Sequence, residues 1–124
     1  MKKMTIFILP FVFMLNCGCL YNYELENITY SGHVYKKSDS SPLSGITVEL
    51  NSSNDRSSPH YTNTDINGYY NLSIDVDCRG GSVTLAIFAP DEYIPIPYFY
   101  YSGSDGARDA CNPPVLDVFL ELRP

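Results

Sequence analysis

Between Ile28 and Leu122, apolar residues recur at every second position in five separate runs bounded by Gly, Pro, Asn, Asp and Ser. The runs are Ile28, Tyr30, Gly32 and Val34; Ile46, Val48 and Leu50; Tyr70, Leu72 and Ile74; Val83, Leu85 and Ile87; and Leu116, Val118, Leu120 and Leu122. A period of two sends successive side chains to opposite faces of a strand, whereas a helix needs apolar residues three and four apart. No longer window carries a helical stripe, and the spacing of Gly and Pro would cut one short. Two weaker runs, Ser57 to Thr64 and Tyr98 to Ser102, bring the strands to seven. Short strands at this spacing predict an all-β fold, an antiparallel β-sandwich in which each sheet has one face on the core and one in water. Pro90, Pro95 and Pro97 crowd the stretch from Ala89 to Tyr101. Pro cannot donate to a central ladder, so any strand there belongs at an edge.

The N-terminus follows another rule. Lys2 and Lys3 precede an apolar stretch, Met4 to Leu15, that ends in Asn16-Cys17-Gly18-Cys19. This is the layout of a signal peptide. As a helix the stretch would span ~18 Å, short of the ~30 Å of a bilayer's hydrocarbon core, so it is not expected to remain as a membrane span. It resembles a bacterial lipoprotein signal, in which a small residue precedes a Cys that receives diacylglycerol, and Gly18-Cys19 fits that junction. The alternative junction, before Cys17, would leave Asn16 in the small-residue place. The expected organisation is a signal peptide over 1–18, a tether over 19–27 and a β-domain over 28–124. The chain is expected at the cell envelope, held to a membrane by a lipid on Cys19, or secreted or periplasmic without one.

Charge narrows the partners. The 124 residues carry a net charge of −6, and removing Lys2 and Lys3 leaves six basic against fourteen acidic residues, or −8. A surface this acidic has no means of holding a phosphate backbone, which excludes nucleic acid. Apolar residues make up 44% and there are eleven Tyr, enough for a folded core.

Two stretches are more specific than alternation. Pro42-Leu43-Ser44-Gly45-Ile46-Thr47-Val48-Glu49-Leu50 places a turn and a Gly directly before a strand. Thr64-Asp65-Ile66-Asn67-Gly68-Tyr69-Tyr70-Asn71-Leu72 places a tight turn before another, and Gly32-His33-Val34 lies upstream. In order and spacing these resemble the carboxypeptidase regulatory-like domain, whose members read G-x-V, P-L-x-G-V-x-V-x-L and T-D-x-x-G-x-Y-x-L. The resemblance implies a transthyretin-like sandwich and covers Ile28 to Leu72. Lys36 to Ser40 replaces the Asp-Gly usual in the first loop. No catalytic residue resides in these motifs. Their physics is that of turns: Asp65 can accept from following N–H groups, Asn67 and Gly68 tolerate positive φ, and Gly45 lets the backbone enter a strand where a side chain would obstruct it.

The remaining chemistry is thin. Asn63, Asp65, Asn67 and Gly68 mimic half of a calcium loop, but the place of its bidentate Glu holds Ile74, so a β-turn is expected and no metal. His33 and His60 lack zinc-ligand spacing, and no Ser or Cys has an identifiable base; neither cofactor nor enzymatic activity is expected. Cys78 and Cys111 flank strands and, in an oxidising compartment, are the natural disulfide pair. Tyr93, Tyr98, Phe99, Tyr100 and Tyr101 cluster with prolines. They form either a surface for an envelope protein or carbohydrate, or ordinary cover for the end of the sandwich. The expected function is a non-enzymatic structural or binding module; the alternative is an accessory subunit of a peptidase or polysaccharide-utilisation system.

Overall fold

The computed structural model describes residues 25–103 and 108–124. The signal segment, Cys17 and Cys19 lie outside the described residues. Seven strands follow one another, β1 (Leu25–Lys36), β2 (Thr47–Ser52), β3 (His60–Asn63), β4 (Tyr69–Asp77), β5 (Ser82–Phe88), β6 (Phe99–Ser102) and β7 (Val118–Leu120). They form a three-stranded sheet in the order β4-β1-β7 and a four-stranded sheet in the order β3-β2-β5-β6. The fold is all-β, a two-sheet sandwich. β1 starts at Leu25, inside the stretch assigned to the tether, and Leu25, Glu26 and Asn27 pair with Asp77, Val76 and Asp75.

The parity read from the sequence is the parity of burial. Tyr30 and Val34 on β1, Val48 and Leu50 on β2, Tyr70, Ile74 and Val76 on β4, Val83, Leu85 and Ile87 on β5, and Val118 and Leu120 on β7 all point into one core. Full burial of such side chains contributes about 1.5–3 kcal/mol each, the main driving force for closing two short sheets on each other.

The expectation of an antiparallel fold needs one correction. Four strand pairs are antiparallel, but β7 runs parallel to β1, with Val34, Tyr35 and Lys36 opposite Val118, Phe119 and Leu120. These two strands are far apart in the chain, with β2 to β6 between them, and 108–117 is the described stretch that leads into β7. Since β6 and β7 lie in different sheets, this stretch enters the sheet opposite β6. Cys78–Cys111 pins it to the end of β4, with Cα atoms 5.6 Å apart.

Two buried tyrosines hold the same crossing from below. The Tyr30 hydroxyl donates to the carbonyl of Ala110, and the Tyr70 hydroxyl donates to that of Leu116 at 2.9 Å. Burial pushes both phenols well above the usual tyrosine range, so they remain donors. Leu116 N–H donates in turn to Ser31 O at 3.0 Å. Gly32 makes this approach feasible, because a Cβ there would stand 1.7 Å from Leu116 O.

Gly45 has a different role from the one expected. A Cβ there would meet nothing within 4 Å, and what the position requires is its φ of 75°. The Asp65 turn closes as read: Asp65 Oδ1 accepts from Asn67 N–H and Tyr69 N–H, both at 2.9 Å, and Gly68 takes φ 75°.

Candidate functional site

Strand alternation splits the aromatic cluster at 93–101 in two. Tyr93 and Tyr101 are buried, at 6% and 1% exposure, and belong to the core rather than to a surface. Tyr101 lies opposite Val83 and packs edge-on against Tyr30, with centroids 5.2 Å apart. Phe99 is half-buried against the core, with the Arg108 guanidinium 5.4 Å from its ring centre. Only Tyr98 and Tyr100 face water, at 64% and 54%.

The register gives Tyr100 neighbours on other strands, while Tyr98 lies just before β6. Tyr100 pairs with Thr84 on β5, and Thr84 with Asn51 on β2. Glu49 on β2 lies between Ala86 on β5 and Tyr61 on β3, and Phe88 stands opposite Thr47. Tyr61 and Phe88 are 56% and 47% exposed. The outer face of the four-stranded sheet therefore carries Tyr61 on one edge strand and Tyr100 on the other, with exposed Tyr98 two residues before Tyr100 in the chain. Glu49 stands opposite Tyr61, and its carboxylate raises that phenol above its usual range. Tyr61 and Phe88 escape a sequence reading because each stands alone in its run and only the register joins them to Tyr100.

The outer face of the other sheet is built differently. Tyr69, His33, Tyr35 and Phe119 form a ladder with centroid distances of 5.2, 5.6 and 5.2 Å. The His33 and Tyr35 rings stack nearly parallel at 8°, and Tyr35 and Phe119 meet at 28°. Ring faces here are spent on one another. His33 N–H also donates to Asp117 Oδ1 at 2.9 Å, which ties the ladder to the entry of β7.

A polar cluster lies where the β2–β3 loop meets the free edge of β4. Ser52 Oγ donates to Asp75 O at 2.7 Å, Asp75 N–H to Asp55 Oδ2 at 3.1 Å, and Asp77 N–H to Asn54 Oδ1 at 3.3 Å. His60 Nδ1 donates to Ser73 O at 2.9 Å. Side chains stand where a neighbouring strand's backbone would be, and this blunts an edge that would otherwise template aggregation. Ser57, His60 and Asp55 are thereby brought together, a grouping that spacing alone did not reveal. Ser57 Oγ lies 2.9 Å from His60 Nε2 and donates to Asp55 Oδ1 at 2.6 Å. A nucleophilic serine needs its proton directed to the imidazole and the imidazole's other nitrogen held by the acid. Here the acid takes the serine's proton and a backbone carbonyl takes the imidazole's. The cluster is wired as a clasp.

Hydrogen bonds from the Ser57 hydroxyl, then from Asp75 N–H, hold the Asp55 carboxyl below its ordinary 3.8. A carboxylate whose folded pKa is depressed contributes stability that is complete above the ordinary value and is lost as pH falls through the folded one. Asp55→Ala is expected to cost about 2 kcal/mol at neutral pH, the weight of charge-assisted bonds to a carboxylate whose side chain is only 6% exposed. Urea midpoints of wild type and variant should converge as pH is taken from about 7 to about 2. A gap independent of pH would show that the charge is not what holds the loop.

No family model and no curated protein matches the chain. Among solved structures it is similar to a streptococcal ancillary pilin, with a TM-score of 0.52 and 13% identity. The match covers 81% of this chain and 30% of the pilin chain, so this chain spans less than a third of that protein's length. At this identity the likeness is one of fold.

Proposed function

We propose that this chain is a non-enzymatic, exported module of the cell envelope, held to a membrane by a lipid on Cys19 and binding a partner through the outer face of its four-stranded sheet. The observation that carries the reading is the set of solvent-facing rings Tyr61, Phe88 and Tyr100 on one sheet face, with exposed Tyr98 two residues before Tyr100. A folded monomer rarely leaves large apolar side chains together in water without use. Membership of the carboxypeptidase regulatory-like, transthyretin-like class is part of the proposal. It is supported by the positive φ of Gly45 and by the Asp65 turn, which fall where the two motifs require them. The clasp wiring of Ser57, His60 and Asp55 supports a module without catalysis, as does similarity in fold to a pilin. The domain organisation is a signal peptide over 1–18, a tether over 19–24 and a β-domain over 25–124, the expected start at 28 moved to the first residue of β1.

Two variants test the two halves. Cys19→Ala is expected to leave the chain without lipid label and to move it from the membrane to the soluble fraction. Unchanged membrane association with no label on the wild type would remove the anchor. The double variant Tyr98→Ser, Tyr100→Ser is expected to abolish partner capture in a pull-down from the protein's own envelope with its melting temperature nearly unaltered, since exposed positions contribute little to folding. A large fall in melting temperature would show that the rings serve the fold instead.

A further inference from the structure

We infer that the outer face of the four-stranded sheet binds an uncharged polysaccharide, with Tyr61 at one rim and Tyr98 and Tyr100 at the other as stacking platforms. The inference rests on the reading of the chain as a binding module and names its ligand class.

The first argument is shape. Tyr61 belongs to edge strand β3 and Tyr100 to edge strand β6, at the two ends of the order β3-β2-β5-β6. Three strand spacings separate them, about 14 Å. Between the rims the floor is low at Thr84 and Ala86 on β5 and Glu49 on β2, and the Phe88 ring stands at the end of β5, past its last pairing with β6. Along the rows of Tyr61 and Tyr100 rings stand at the rims with small or polar groups between, the reverse of a protein–protein contact, which concentrates aromatics at its centre and polarity at its rim. An elongated ligand lying across the strands meets a ring at each end and hydrogen-bonding groups between.

The second argument is charge. The outward positions on these strands are Thr, Glu, Asn, Tyr, Ser, Ala and Phe, with one carboxylate and no Lys or Arg. The chain's net charge is −6. A sulfated, phosphorylated or uronate polymer is repelled by such a face. An uncharged sugar chain suits it, because its C–H faces pack on aromatic rings while its hydroxyls find the Glu49 carboxylate and the amides and hydroxyls of Asn51, Asn63 and Thr84. Free ring faces are also required. Among the described residues, no second ring lies against Tyr61, Tyr98 or Tyr100, unlike the Tyr69–His33–Tyr35–Phe119 ladder, whose faces are taken.

The experiment is native affinity electrophoresis of the full-length protein, purified from its own envelope in mild detergent, through gels containing a soluble β-glucan, a mannan or a xylan, with alginate as the anionic comparison. Retardation is expected in at least one neutral gel and none in alginate. Tyr61→Ala and, separately, Tyr98→Ala should each weaken it about tenfold or more, while Phe119→Ser on the other sheet should leave it unchanged. Each single variant is compared at equal melting temperature, so that one that fails to fold leaves the other to decide. Absence of retardation in every neutral gel, retardation in alginate alone, or retardation indifferent to both rim variants overturns the inference. If the sugar gels are negative while Tyr98→Ser, Tyr100→Ser still abolishes envelope capture, the sugar assignment falls and the binding module stands. If capture is also indifferent to that pair, both fall.

Discussion

Gly32→Ala is expected to lower stability by about 4 kcal/mol or more, above the range usual for an overpacked core. The added Cβ would stand 1.7 Å from Leu116 O and 2.6 Å from Leu116 C, and neither atom can turn aside as the end of a side chain can. Leu116 is itself held from both sides, by its N–H to Ser31 O and by the Tyr70 hydroxyl to its carbonyl. The crossing must therefore lift from β1. Doing so strips cover from Tyr30 and Tyr70, whose hydroxyls donate to carbonyls of that crossing, and loosens the entry of β7. Gly45→Ala is the matched comparison. Nothing lies within 4 Å of its Cβ, and only the φ of 75° opposes it, at a cost of about 1–2 kcal/mol. Urea denaturation of both variants decides the matter. Equal losses would mean that the stretch around Leu116 accommodates a methyl group and is no fixed part of the sandwich.

Strand membership and the core were legible because burial in a two-layer sandwich obeys a period of two, and a one-residue slip would turn each apolar set to water. Val48, Leu50, Val83, Leu85 and Ile87 could be assigned to the core from alternation alone. Direction was not legible. Nothing in Leu116, Val118 and Leu120 says that the strand lies parallel to β1, since alternation is the same read either way. The aromatic cluster shows a different failure. Read as a compositional patch, Tyr93 to Tyr101 left a partner surface and ordinary cover for the end of the sandwich as alternatives for the cluster as a whole. The alternation that ordered the core also puts Tyr101 inside and Tyr100 outside, and applying it at Phe99–Ser102 separates the two classes. Tyr61 and Phe88 lay beyond any such reading, because a site assembled across three strands is a property of register. The Asp55 clasp was hidden for a related reason: its partners on β4 are backbone groups, which no residue type announces.

The remaining large effect tests the face assignment on which both the core and the proposed binding surface depend. Leu85→Ala is expected to cost about 2–5 kcal/mol, the range for a leucine whose removal leaves a cavity that the surroundings fill only in part. Leu85 is 1% exposed and sits between Leu50 on β2 and Phe99 on β6. Thr84, one residue earlier, faces the other way, between Asn51 and Tyr100. Thr84→Ala loses no core volume, so its cost should stay under about 1 kcal/mol. The same pair also discriminates on function. Thr84 lies on the floor between the aromatic rims, so its replacement should alter retention in the neutral-polysaccharide gels without moving the urea midpoint. Leu85→Ala should move the midpoint and, at temperatures where the variant remains folded, leave retention intact. Equal losses of stability would place both side chains at the same depth, which two neighbours on one strand of a sandwich cannot share, and the assignment of Tyr61 and Tyr100 to a common outer face would fall with it.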